Sequence, residues 1–343
     1  MIINMNTPNF LEKSILATII YYDIFDYPLT GFEIFKYLIN PLHVIGQLED
    51  INKTEFEPMS NISLSGVLRS LEDENIQKFI SQKNGFYFLK EKKWLYRERI
   101  ERQKIAAERW KKVKRVLKFI QFVPFVKMLA VCNSLAIDNS KKDADIDFFI
   151  IARKKRIWLT RFMVTFMVWL IGQWRHKNKI FGKICLSFYI TDEFLNLNSL
   201  AIGPYDIYLA NWIHQLRPVY GEEKIYEEFI FENQWVKDYL LNFGKIGNSY
   251  YPGFKQNKTL ILIRKILEKI LGGWVGNLKE AIFRFFQKKK ISRKTVPHDI
   301  STAVVVSDKV LKFHENDKRE YFQEEFIKRL KNALTIDNNY NKC

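Results

Sequence analysis

Two carboxylates, Asp145 and Asp147, stand one residue apart at the head of an apolar run, Phe148 to Ala152. In a strand alternate side chains share a face, so both project the same way. Side by side they repel each other unless a cation neutralises them. A hard divalent ion, Mg²⁺ or Mn²⁺, takes oxygen ligands and keeps positions open for substrate phosphates. A pair of such ions activates an attacking hydroxyl while stabilising a leaving pyrophosphate. Upstream, a second apolar run, Met128 to Cys132, ends in Asn133-Ser134. Their backbone N–H groups and hydroxyl are placed to meet a triphosphate. The pattern therefore nominates Asp145 and Asp147 as catalytic metal ligands, and Asn133 and Ser134 as contacts to an NTP.

These residues need a sheet beneath them. The runs 128–132 and 148–152 read as strands, and Lys183 to Thr191 as a third. Asp138 and Asp143 fall in the connecting loop, where they help solvate the site. Arg153, Lys154, Lys155 and Arg156 follow the second strand and are candidates to grip a triphosphate or an acceptor. Arg161 lies within a very apolar helix and needs a buried partner, which one of the aspartates would supply. It joins the nucleotide-binding set. The stretch Ile157 to Trp174 reads as a buried helix on the sheet. A bilayer crossing needs ~20 apolar residues, and Arg161 in mid-span is costly. A membrane-associated protein, anchored through this stretch and a basic C-terminal helix, is the least favoured reading.

The strand, the Asn-Ser turn and the Asp-x-Asp strand together resemble the DNA polymerase β-like nucleotidyltransferase superfamily, especially its minimal bacterial and archaeal members. The signature of that family is Gly-Ser at a strand end, then Asp-x-Asp in the next strand about ten residues on. Ser134 matches the serine, and Asp145 and Asp147 match the acidic pair. The whole chain also resembles proteins that join an N-terminal winged-helix segment to such a domain. The resemblance implies transfer of a nucleoside monophosphate from an NTP to an acceptor. Two positions depart from the pattern. Asn133 replaces the family glycine, though asparagine tolerates positive φ better than most residues. The third carboxylate of the family has no counterpart inside 183–191, where Ser187 takes a plausible position and Asp192 and Glu193 come only at the end. These departures leave open a second reading, a catalytically weakened module that binds nucleotide or nucleic acid.

Around this core, residues 9–25 carry apolar side chains at helical spacing, and Thr30 with Glu33 forms a capping-box pattern for a second helix. Residues 40–61 read as a long loop and 63–75 as a third helix. Asn84-Gly85 joins two short β-like runs as a hairpin. Three helices and a hairpin make a winged helix-turn-helix; Glu72, Asp73 and Glu74 on its third helix favour a protein or self-interaction role. Residues 91–121 lack Gly and Pro and form one basic helix. It is either a solvated linker or a rail presenting Arg109, Lys111, Lys112, Lys114 and Arg115 to a polyanion. Helices are expected over 203–216, 222–243, 259–289 and 319–334.

The fold class is α+β: a mixed-sheet nucleotidyltransferase-type core, an N-terminal winged helix-turn-helix and a helical C-terminal region. The expected boundaries are 1–91, 92–124, 125–198 and 199–343. Fifty-five Lys and Arg against 38 Asp and Glu give a net charge of +17 in 343 residues. Such a field suits RNA, DNA, an NTP or anionic lipid headgroups, and a nucleic-acid 3′ end is one acceptor class beside protein hydroxyls and small molecules. Cys132, Cys185 and Cys343 form no C-x-x-C pair, which argues against zinc and a disulfide framework. Cys132 and Cys185 read as core residues in a reducing cytoplasm. No signal peptide is evident. The five histidines lack ligand spacing, and His314 and Asp317 read equally as helix caps. No nucleophile elbow, P-loop or dinucleotide fingerprint is present.

Overall fold

The computed structural model describes residues 9–45, 62–90, 92–175, 181–203, 205–246, 257–293, 302–314 and 316–340. Helix α1 (Phe10–Asp23) begins at Asn9, whose side chain accepts the Glu12 N–H while the Glu12 carboxylate reaches back. Strand β1 (Leu29–Thr30) leads into α2 (Gly31–Lys36), where Thr30 and Glu33 repeat that reciprocal cap. Helix α3 (Pro41–Ile45) occupies the start of the stretch expected as a loop; residues 46–61 lie outside the described residues. The single helix expected over 63–75 is two, α4 (Leu64–Ser70) and α5 (Glu74–Gln77). The Asp73 carboxylate accepts the Asn75 N–H and restarts the helix there. Strands β2 (Ile80–Lys83) and β3 (Phe86–Leu89) form the expected hairpin. Asn84 and Gly85 take φ of 53° and 80°, the left-handed pair that a tight two-residue turn requires. Strand β1 adds to β3, giving the order β1-β3-β2.

Helix α6 (Leu95–Ile120) leads to β4 (Val126–Cys132), α7 (Asn133–Ala136), β5 (Ile146–Ala152), α8 (Ile157–Leu170) and β6 (Ile184–Thr191). Then come α9 (Ile207–Gln215), β7 (Arg217–Gly221), α10 (Glu223–Glu232), α11 (Lys258–Ile270), α12 (Trp274–Ser292), β8 (Val304–Val306), β9 (Val310–Phe313) and α13 (Arg319–Tyr340). The second sheet has the order β7-β4-β5-β6-β9-β8. Its one parallel pair, β5 with β6, is bridged by α8, and its other neighbours are antiparallel. The class is α+β. The region after residue 199 is not helical throughout, because half of this sheet, β7 to β9, comes from it. These strands are three to five residues long. So short a run becomes a strand through its pairing partner rather than through local propensity.

Alternation along the strands separates two apolar layers. Met128, Ala130, Phe149, Ile151, Phe188 and Ile190 face α1, α9, α10 and α13. Leu129, Val131, Phe148, Ile150 and Tyr189 face α6 and α8. Helix α6 is not a free rail. Arg99, Arg102 and Arg109, at helical spacing, are buried. Arg99 meets Glu33 at 2.7 Å, and Arg102 donates to the Phe25 and Asp26 carbonyls and to Asn139, each at 3.2 Å. Arg109 donates to the Lys142 carbonyl, and Lys112 to the Gly182 carbonyl. Lys111 is exposed and pairs with Glu108. The buried arginines thus bind the N-terminal layer to the 137–142 loop ahead of β5.

Among the described residues no helix is long and apolar enough to cross a membrane. The apolar stretch from Ile157 forms a 14-residue helix, about 21 Å long. It buries Trp158, Leu159, Val164 and Val168 against the sheet, but leaves Phe162, Phe166, Trp169 and Leu170 exposed.

Candidate functional site

Pairing fixes the acidic edge. Cys132, the last residue of β4, lies opposite Asp147 of β5, and Asp147 is in parallel register with Cys185 of β6. One oxygen of Asp145, one of Asp147 and the Cys185 sulfur lie within 4.8 Å of one another. The chain leaves β4 through Asn133 at φ 57°, a left-handed conformation that asparagine tolerates better than most residues. The Asn133 side-chain carbonyl accepts the Trp212 indole N–H at 3.0 Å, and the same side chain lies close enough to the Asp147 carboxylate to favour its charged form.

The acids sit in a cleft of about 740 Å³. Its lining includes Asp143, Asp145, Asp147, Arg175, Cys185 and Ser187 around the acidic pair, and Tyr208, Lys312, His314, Asp317, Arg319 and Phe322 from later in the chain. Burial pushes the Asp147 carboxyl up to about 6, and the Asp145 charge pushes the same way; bonds from Asn133 and Cys185 and the charge of Arg175 oppose them. Arg175 Nη1 lies 2.8 Å from Asp145 Oδ2 and 3.5 Å from Cys185 Sγ. Burial, then the charges of Asp147 and Asp145, drives the Cys185 thiol up to about 12. Sulfur so held stays protonated at neutral pH and is a poor donor to a hard ion. The donor set is thus two carboxylates, one recessed and charge-strained, on an open cleft. That set fits a hard divalent cation whose remaining ligands come from phosphate and water.

Ser187 Oγ and His314 Nε2 share a hydrogen bond of 3.1 Å. Burial, then Lys312, lowers the imidazole to about 4, so it is neutral at pH 7. Burial, then Arg319, lowers the Lys312 ammonium to about 8; it donates to the Thr302 carbonyl at 2.7 Å. Arg319 joins Asp317 and Asp206, each at 2.7 Å, and the Leu200 carbonyl at 2.8 Å. These bonds tie α13 to the loops around the cleft.

The structure sets several of the expected residues apart from the acidic pair. Ser134 lines an adjoining cavity of about 320 Å³ with Tyr21, Tyr22 and Asn211, and its carbonyl accepts the Asn139 N–H. Arg161 lies on the other face of the sheet. It bonds to Gln287 at 2.5 Å and stacks over the Phe313 ring, beside Tyr189. Strand alternation places Tyr189 opposite to Asp147, so Arg161 meets neither aspartate. Arg153 to Arg156 follow the far end of β5, five residues beyond Asp147, or about 17 Å along a strand. Asp192 is held at that far end by the Lys154 N–H and does not fold back. Asp138 is occupied by Trp110 and Arg217. Arg175, Cys185 and the 312–319 segment belong to the site but were not assigned to it from sequence. The dense polar run His314, Asn316, Asp317, Lys318, Arg319 after an apolar strand was the available signal. His176, His298 and Cys343 lie outside the described residues.

Comparison of the chain with models of known protein families, with curated proteins and with solved structures found no match.

Proposed function

We propose that this chain is a metal-dependent nucleotidyltransferase, moving a nucleoside monophosphate from an NTP to an acceptor. One observation carries the reading: the Asp145–Asp147 pair at the start of β5, beside the left-handed Asn133 turn, opens on a cleft large enough for a nucleotide. Asp145 and Asp147 would hold Mg²⁺ or Mn²⁺, which supplies charge neutralisation on the phosphates and activation of the attacking hydroxyl. The protein's own groups do the rest. Asn133 favours the charged form of Asp147. Arg175 counters Asp145 until substrate phosphate competes for its guanidinium. Tyr208 and Phe322, stacked on each other at 5.6 Å, offer a flat apolar wall for a base. Ser187, held by His314, stands near the place that a third carboxylate takes in the resembling family.

The mixed sheet with its β5-α8-β6 crossover supports a nucleotidyltransferase-type core. The helices before the three-stranded sheet, with its Asn84-Gly85 hairpin, support a winged helix-turn-helix ahead of it. The net charge favours RNA or DNA as acceptor over an acidic small molecule.

A second reading has its own observation. Asp145 is already paired with Arg175, and the groups nearest the acidic pair on β6 are the Cys185 thiol and the Ser187 hydroxyl, with no third carboxylate beside them. These features favour a weakened module that binds nucleotide without transfer. The test is incubation with each labelled NTP, Mg²⁺ or Mn²⁺ and total RNA, beside an Asp145→Asn/Asp147→Asn control. Label transfer by the wild type alone establishes the enzyme. Metal-dependent NTP binding without transfer selects the binding module, and absence of both removes the nucleotide reading.

A further inference from the structure

Helices α11 and α12 are built inside out. Their polar groups face the protein. The Glu268 carboxylate accepts the Phe125 N–H at 2.9 Å, and Glu280 accepts the N–H groups of Trp158 and Leu159, each at 2.9 Å. Arg156 grips the Leu271 and Gly272 carbonyls where the two helices join. Gln287 bonds to both Arg161 and the Trp158 carbonyl. These bonds fix both helices to the body of the fold.

Their apolar stripes are left in solvent. On α11, Leu262, Ile266 and Ile270 recur every four residues, and all are exposed. On α12, Trp274, Leu278, Ile282 and Phe286 do the same, with Trp274 76% exposed and Phe286 63%. The patch continues onto α8: Phe283 stacks on Phe162 at 4.0 Å, Phe162 on Phe166, and Phe166 on Trp169. An apolar surface this extended marks an interaction face.

Charge identifies the occupant. Residues 258–293 contain ten Lys and Arg and only two acids, Glu268 and Glu280. Both acids are turned inward by the bonds just described. Arg264 is held by Tyr220 and Arg284 by Asp308, so a protein partner or second copy would have to cover the other eight cations together with the stripe. A bilayer surface bearing anionic lipid satisfies both at once, because aromatic and aliphatic side chains enter the acyl boundary while Lys and Arg meet the headgroups. We propose that α11, α12 and the outer face of α8 form a docking surface for an anionic membrane, on which the protein lies without crossing. This inference stands apart from the nucleotidyl-transfer reading and survives its failure.

The test is flotation of the full chain with neutral phosphatidylcholine vesicles and with vesicles containing phosphatidylserine. The bound fraction should rise about tenfold on the anionic vesicles and fall as salt shortens the screening length. Trp274→Glu/Phe285→Glu/Phe286→Glu should abolish flotation with an unchanged circular dichroism spectrum. Lys288→Gln/Lys289→Gln/Lys290→Gln, which leaves the stripe intact, should weaken it several-fold. Failure to float on anionic vesicles at low salt overturns the proposal. So does flotation indifferent to the apolar variant, which indicates a charge-only polyanion site. A dimer that the apolar variant splits overturns it too, because a second copy then covers the face.

Discussion

Burial and the charge of Asp145 hold the Asp147 carboxyl at about 6, above its usual carboxylate range. A folded pKa above the unfolded one means that this group's contribution to stability is full below about pH 4. It is lost as pH rises through about 6. The metal-free protein should therefore gain stability from Asp147→Asn at pH 8, by no more than about 3 kcal/mol. The gain should vanish near pH 4, and a thermal melt series across that range is the check. Mn²⁺ should raise the melting temperature of the wild type and leave the variant unmoved. Arg175→Ala removes the cation that competes for Asp145. Mn²⁺ affinity measured by titration calorimetry should then tighten by up to about tenfold, since a half-exposed pair is worth roughly 1 kcal/mol. An unchanged affinity would show that Arg175 does not compete with the ion. At this scale the acidic pair was legible in the sequence because alternation alone puts two neighbours on one face. Arg175, Cys185 and His314 were not, because only the pairing of β5 with β6 and of β6 with β9 brings them alongside.

Helix α6 gives the clearest case of an element whose sequence misleads. Its basic composition reads as a solvated surface, yet Arg102 is buried among four oxygen acceptors. Arg102→Met should cost about 3 kcal/mol in denaturant unfolding, because it strands buried carbonyls. Lys111→Met, on the exposed face, should change stability by under about 0.5 kcal/mol. The elbow between α11 and α12 depends on Gly276, where an added Cβ would lie 1.7 Å from the Leu271 carbonyl oxygen. Gly276→Ala should force the two helices apart, cost about 1–3 kcal/mol, and lower flotation on anionic vesicles. Elements with a local signature were legible: the Thr30–Glu33 capping box, the Asn84-Gly85 turn, and the strands on either side of Asn133. Strands β7, β8 and β9 were not, because their identity comes from neighbours far away in sequence. The one helix expected across 259–289 divides where Gly272 and Gly273 interrupt it.

Across the whole molecule, two buried histidines report on folding. Burial, then Lys36, lowers His214 to about 3, and His314 lies at about 4. Folded values below the unfolded ~6.5 mean that stability is full above that pH and falls as acid favours the protonated unfolded chain. Each histidine should cost about 2 kcal/mol on going from neutral pH to ~5. His214→Gln should flatten that acid limb in a pH series of melts, and an unaltered limb would show that His214 does not govern it. The cleft itself spans the chain. Asp147 and Arg319, which both line it, are separated by about 170 residues. At ~5–20 residues per second on the ribosome, the carboxylates wait roughly 10–30 s for the segment that closes their site. A nascent or prematurely released chain that stops short of Arg319 has the acids but lacks part of the lining around them, so the cleft is complete only after synthesis has passed that point.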